Sequence, residues 1–111
     1  MANIDKIRRE PVTIDIGDGK DRTLRYTLNA FALLEERYGS IDGAMDALDK
    51  GSISAIRLAL WAGLIHEDKT LTEEYVGDNI DLFDLEGIAE KMNKAMMGDL
   101  PDKAETIVPN N

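Results

Sequence analysis

Apolar and polar residues alternate in two stretches near the start of the chain, and a turn-forming run at residues 17–21 separates them. The apolar positions are Val12, Ile14, Ile16, Leu24 and Tyr26. A period of two is typical of a strand with one buried face, and Gly and Asp in the separating run are typical of a turn. The pattern predicts a β-hairpin over residues 11–27. Because two strands alone are marginally stable, its apolar face must pack against other elements.

From residue 28 onward the spacing of apolar residues changes to three or four, which is typical of amphipathic helices. Residues that favour helix N-caps precede the apolar stripes; the predicted caps are Asn29, Ser40, Ser52 and Thr72. A last helix begins near Leu82 and is followed by Gly98; its stripe consists of Leu85, Ile88, Ala89, Met92, Ala95 and Met96. The chain therefore predicts an α+β, mostly α fold: an N-terminal β-hairpin followed by a compact bundle of four to five short helices in residues 28–98.

The predicted helix over residues 52–65 is apolar around its whole circumference, with Arg57 as its only charged residue. A helix of this kind is typical of the middle of a packed assembly. Full burial of each Leu, Ile or Trp contributes about 1.5–3 kcal/mol, so leaving several of them in water is costly. A chain of 111 residues has little else to wrap around this helix. We therefore expect a partner protein, or self-association into a homo-oligomer, to cover part of it.

Side chains of this helix and of the last helix are the candidate partner-binding residues. They are Ile56, Leu60, Trp61, Met92 and Met96. Trp often anchors protein interfaces, and Met is a flexible side chain used on adaptable binding surfaces. Packing in the core of the domain itself is the alternative for each of them, and the sequence leaves both open.

The chain is acidic, with 22 Asp and Glu against 13 Lys and Arg and a formal charge of −9. Phosphate contacts require clustered Lys and Arg, so we expect neither nucleic acid nor an anionic membrane as a partner. Cysteine is absent, residues 1–10 carry no secretory signal, and the longest apolar run is shorter than the roughly 20 residues that span a bilayer. We expect a cytoplasmic protein with a flexible lead (residues 1–10), a single domain (11–98) and a mobile C-terminal tail (99–111).

Motifs for catalysis are also missing from the sequence. His66 is the only histidine and there is no cysteine, so a catalytic triad or a zinc site lacks its other members. The pair Gly19-Lys20 is followed by Asp21 where a phosphate-binding loop needs Ser or Thr. We predict no catalytic residues, no cofactor and no metal site, and a binding protein rather than an enzyme.

From about residue 22 to residue 97 the order of elements resembles that of the small tail assembly chaperones of long-tailed bacteriophages. The resemblance rests on packing and capping residues and carries no catalytic signature. The segments that carry the resemblance are the strand Leu24-Arg25-Tyr26, the helix 30–39 with Glu35-Glu36 followed by Ser40-Ile41, the segment 58–64 (LALWAGL), Glu67-Asp68, the run Leu71-Thr72-Glu73-Glu74, and the final amphipathic helix.

The resemblance implies a non-enzymatic protein that is made in the host bacterial cytoplasm and is absent from the mature virion. Proteins of this family are thought to bind the tape measure protein, keep it soluble and help the tail tube protein to polymerise around it. Self-association is common among them, and many also exist as a frameshifted longer form. The −9 charge leaves one alternative open: an acidic nucleic-acid mimic or regulatory adaptor that binds a basic protein.

Overall fold

A computed structural model describes residues 11–99 of the chain. Within them a hairpin of β1 (Val12–Asp15) and β2 (Asp21–Leu24) precedes five α-helices. The helices are α1 (Leu28–Tyr38), α2 (Ile41–Asp49), α3 (Ile53–Leu64), α4 (Glu73–Asn79) and α5 (Leu85–Asp99), with a 3₁₀ turn at Leu82–Asp84 before α5. The predicted α+β, mostly helical fold is confirmed. The predicted lead and residues 100–111 of the predicted tail lie outside the described residues, and Asp99, assigned to the tail, is the last residue of α5.

The apolar face of the hairpin packs against α3 and α5. Its five alternating apolar residues are all buried in one core cluster with side chains of these helices. Two hydrogen bonds join the hairpin to α3: Arg25 N donates to Gly63 O over 2.9 Å, and Tyr26 Oη donates to Ala59 O over 2.8 Å. The partner that the hairpin needs is therefore within the same chain.

Most of α3 is covered by its own chain, so the expectation that the chain has little else to wrap around this helix is wrong. Its buried residues are Ala55, Ile56, Leu58, Ala59, Leu60, Ala62, Gly63 and Leu64. Half of them are Ala or Gly, which let neighbouring elements approach closely; a Cβ on Gly63 would lie 2.8 Å from Tyr26 Cζ. Few neighbours are then needed to enclose the helix. Ile53 stays exposed, and Trp61 is half-buried.

Side-chain caps begin the first four helices. Ser40, Ser52 and Thr72 each accept a hydrogen bond from the backbone N–H three residues further on, as predicted. The predicted cap Asn29 is wrong: Thr27 performs this role, and α1 begins two residues earlier than expected. Both residue types satisfy the free N–H groups of a first helical turn, so local preference does not decide between them.

Side chains from the loop after α3 close the outer edge of β2. Thr23 N donates to Glu67 Oε1 over 3.1 Å, and Thr23 O accepts from His66 Nε2 over 2.8 Å. On the other strand, Lys91 Nζ of α5 donates to Thr13 O over 3.2 Å. Three backbone groups at the edges of the hairpin, Thr23 N, Thr23 O and Thr13 O, thus have side-chain partners.

Candidate functional site

The five predicted partner-binding residues do not form one surface. Ile56, Leu60, Met92 and Met96 are buried in the core, and Trp61 is half-buried with its Nε1 donating to Leu71 O over 2.8 Å. As the chain is folded, the four buried side chains are not available as an exposed contact surface, because the hairpin and neighbouring helices already cover them. Ile56 and Leu60 nevertheless contribute to the groove described next.

An open groove of about 710 Å³ lies between α3, α4 and the segment that enters α5. Its apolar lining residues are Ile53, Ile56, Leu60, Val76, Ile80, Leu82 and Leu85. Apolar surface continues at its margin, where Ile53 is 58% exposed, Leu82 is 66% exposed and the adjacent Phe83 is 95% exposed. Large exposed apolar residues grouped around a concave surface are typical of interaction sites.

A charged cluster on Glu73 holds the N-terminus of α4 in place beside the groove. Arg37 of α1 donates to both carboxylate oxygens of Glu73, over 2.8 and 3.3 Å, and Arg57 Nε of α3 lies 3.4 Å from Glu73 Oε2. The hydrogen bonds from Arg37, with a smaller contribution from Arg57, lower the pKa of Glu73. Glu73 therefore remains charged in mildly acidic solution and links three helices.

A second charged cluster connects α4 to the hairpin turn. Arg22 is 7% exposed, and its Nη1 donates to Asp18 Oδ1 over 2.9 Å, while Tyr75 Oη donates to Asp18 Oδ2 over 2.8 Å. These bonds, the one from Arg22 first, lower the pKa of Asp18 well below its ordinary value, and the hydrogen bond to Asp18 raises the pKa of Tyr75. The turn also packs closely on α4, since a Cβ on Gly17 would clash with Asn79 O. The α4 wall of the groove is thus fixed at both ends.

The margin of the groove is acidic. Glu74, Asp78 and Asp81 are exposed lining residues, and none of them has an ion pair within residues 11–99. Among the described residues that line the groove, Arg57 is the only basic one, and its charge is directed to Glu73. The groove therefore combines an apolar floor with uncompensated negative charge at its edge.

Two features of the described residues bear on metal binding and catalysis. Among residues 11–99, no group of three or more His, Cys, Asp or Glu side chains is placed to hold a metal ion. A smaller cavity of about 290 Å³ between the hairpin turn and α5 includes Asp15. However, Asp15 Oδ1 already accepts hydrogen bonds from Gly17 N and Gly19 N, so it serves the turn. No helix in the described residues is both long and apolar enough to cross a membrane.

The sequence pattern did not indicate that Ile53, Leu82 and Phe83 at the groove margin would be exposed. One signal was present: Phe83 lies two positions before Leu85, so on a continuous helix it would point roughly 200° away from the Leu85 stripe. An aromatic residue off the stripe, between Asp81 and Asp84, is typical of an exposed apolar position. No comparable signal marked Ile53, because the apolar residues of its helix show no preferred face.

Comparisons of the chain with protein-family models, with curated proteins and with solved structures gave no match.

Proposed function

We propose that this protein is a non-enzymatic tail assembly chaperone of a long-tailed phage or prophage. In this role it binds the tape measure protein in the host cytoplasm, keeps it soluble and promotes polymerisation of the tail tube protein around it. It leaves before the virion is complete. The observation that carries the proposal is the groove between α3 and α4, with exposed Ile53, Leu82 and Phe83 at its margin.

The groove suits this task because an elongated helical client exposes apolar stripes that must be kept from aggregating. Covering such a stripe needs exposed apolar surface on the chaperone, and helix-in-groove binding is a common way to provide it. A net charge of −9 helps to keep the complex dispersed. Affinity at each site can be low, since many copies along one client act together. The order of elements, a hairpin followed by short helices, agrees with the resemblance on which the proposal also rests.

The direct test is co-expression with a tape measure protein. We expect most of the tape measure protein to remain in the soluble fraction when the chain is present and to precipitate when it is absent. An unrelated acidic protein of similar size is the control for a general effect of charge. The proposal fails if the tape measure protein is equally insoluble with this chain and with the control.

One observation favours the alternative function, an acidic mimic or adaptor that binds a basic protein. Asp42, Asp46 and Asp49 are exposed along α2, which places three carboxylates over about 10 Å at 1.5 Å per residue. Asp46 is engaged by Lys50 over 3.0 Å. This function would be supported if the chain captured a DNA-binding protein and if the double variant Asp42→Asn, Asp49→Asn abolished that capture.

A further inference from the structure

We propose that the groove between α3 and α4 is specific for a cationic amphipathic helix of the partner, one whose apolar stripe is flanked by Lys or Arg. This inference rests on the proposed function and specifies which kind of helical segment the chaperone recognises. It is carried by three features of the groove: its length, the apolar surface beyond it, and the charge at its margin.

The length of the groove matches the contact stripe of a helix. Its α3 lining extends from Ile53 to Leu60, which is about 10 Å along the helix axis at 1.5 Å per residue. An apolar stripe at positions i, i+3 or i+4, and i+7 of a partner helix covers the same distance. The volume of about 710 Å³ accommodates several side chains of such a stripe rather than a whole helix.

The apolar surface extends past the cavity, which favours an elongated occupant over a small molecule. Phe83 follows the lining residue Leu82 in the same 3₁₀ turn and is almost fully exposed, although it is not part of the cavity. A small ligand enclosed by the groove would leave this ring in water. A helix lying across the groove has further turns that can cover it.

The negative charge at the margin favours a partner with positively charged side chains beside its apolar stripe. Glu74, Asp78 and Asp81 have no compensating cation within the described residues, whereas Glu73 is neutralised by Arg37 and Arg57. Lys or Arg beside the partner's apolar stripe would face these carboxylates, and acidic residues there would be repelled. The same argument disfavours a second copy bound groove to groove, because a two-fold contact would place two acidic margins opposite each other.

The test uses two labelled synthetic peptides of about 18 residues, or five helical turns. Both carry the same leucine stripe at i, i+4 and i+7; one has Lys at the flanking positions and the other has Glu. Fluorescence anisotropy with the intact protein should show at least tenfold tighter binding of the Lys peptide. Raising the salt concentration should reduce this preference, because exposed charges are screened. A scrambled Lys peptide without the stripe should bind at least tenfold more weakly than the ordered one.

Substitutions of exposed residues then locate the site. Ile53→Asp and Leu82→Asp should each weaken binding of the Lys peptide at least tenfold. The matched control is Leu28→Asp, since Leu28 is 85% exposed on α1 and lies outside the groove. The double variant Asp78→Lys, Asp81→Lys should reverse the preference toward the Glu peptide. Circular dichroism checks that each variant retains its helices.

Three results would overturn the inference: equal binding of the Lys and Glu peptides, equal effects of Ile53→Asp and Leu28→Asp, or a change in oligomeric state of the groove variants in place of lost peptide binding. Its failure is distinguishable from failure of the chaperone role. If the Leu82→Asp variant still solubilises the tape measure protein, the groove is not the binding site, but the chaperone role stands. A chain that binds the Lys peptide in the groove yet leaves the tape measure protein insoluble refutes the role.

Discussion

Replacing Gly63 by alanine should destabilise the protein, even though alanine is the better helix former. Gly63 is buried in α3, and an added Cβ would lie 2.8 Å from Tyr26 Cζ and 3.0 Å from Leu24 Cδ2. The ring of Tyr26 cannot retreat easily, since its hydroxyl donates to Ala59 O over 2.8 Å in the core. The added methyl group must therefore displace the hairpin or break this hydrogen bond.

The magnitude follows from three opposing contributions. Alanine gains about 1 kcal/mol over glycine in a helix interior. Overpacking costs about 1–3 kcal/mol, and loss of the hydrogen bond from Tyr26 Oη to Ala59 O costs about 0.5–1.5 kcal/mol more. We expect Gly63→Ala to lower the free energy of unfolding by about 2 kcal/mol, within a range of about 0.5–3.5 kcal/mol.

Gly87→Ala is the matched control. Gly87 lies in α5, and a Cβ there would meet no atom within 4 Å. This variant should be more stable than the parent by about 0.5–1 kcal/mol. Urea unfolding followed by circular dichroism and by the fluorescence of Trp61 measures both changes. If Gly63→Ala unfolds at the same urea concentration as Gly87→Ala, or at a higher one, the close packing of the hairpin on α3 is refuted.

Three further substitutions test single contacts. Trp61→Phe removes the hydrogen bond to Leu71 O and should cost about 1 kcal/mol in urea unfolding; an unchanged midpoint would show that the bond does not contribute. Ser52→Ala removes the cap of α3 and should also cost about 1 kcal/mol, whereas the same change at the exposed, non-capping Ser54 should cost much less. The lowered pKa of Glu73 implies stabilisation that is present above its ordinary pKa of 4.5 and is lost as the pH falls through the lower folded value. Glu73→Gln should therefore reduce the loss of stability that the parent shows as the pH falls below 4.5, and a pH profile parallel to that of the parent would contradict this assignment.

The elements could be predicted from the sequence because their signals are local. Ser40, Ser52 and Thr72 cap the helices that follow them, and the alternation in the hairpin places its apolar residues in the core. These signals depend on the neighbouring residues alone. The cap of α1 could not be chosen in this way, since Thr27 and Asn29 are both suitable and lie two positions apart.

The candidate site could not be predicted from the sequence, because the exposure of an apolar side chain depends on which helices and strands pack against it. The length and apolarity of α3 were evident, but the sequence did not show that its small residues would let the hairpin cover it. The exposed apolar residues of the candidate site consequently lie at the start of α3 and in the turn before α5, around Ile53 and Phe83, rather than at Trp61 and Met96. The acidic margin arises only when α4 lies beside α3, and that placement depends on contacts between residues far apart in the chain. Val76 of α4 is buried in the common core, and Glu73 pairs with Arg37 of α1.

The two side chains that bond to Thr23 also bear on how crowded copies of this protein behave. A strand with open backbone groups is a template for sheet growth between molecules, and such growth leads to fibres and precipitates. His66 and Glu67 occupy the backbone N–H and C=O of Thr23 in the middle of β2, which hinders another copy from pairing with this strand. The loop after α3 thereby protects the fold from self-templated aggregation at high local concentration.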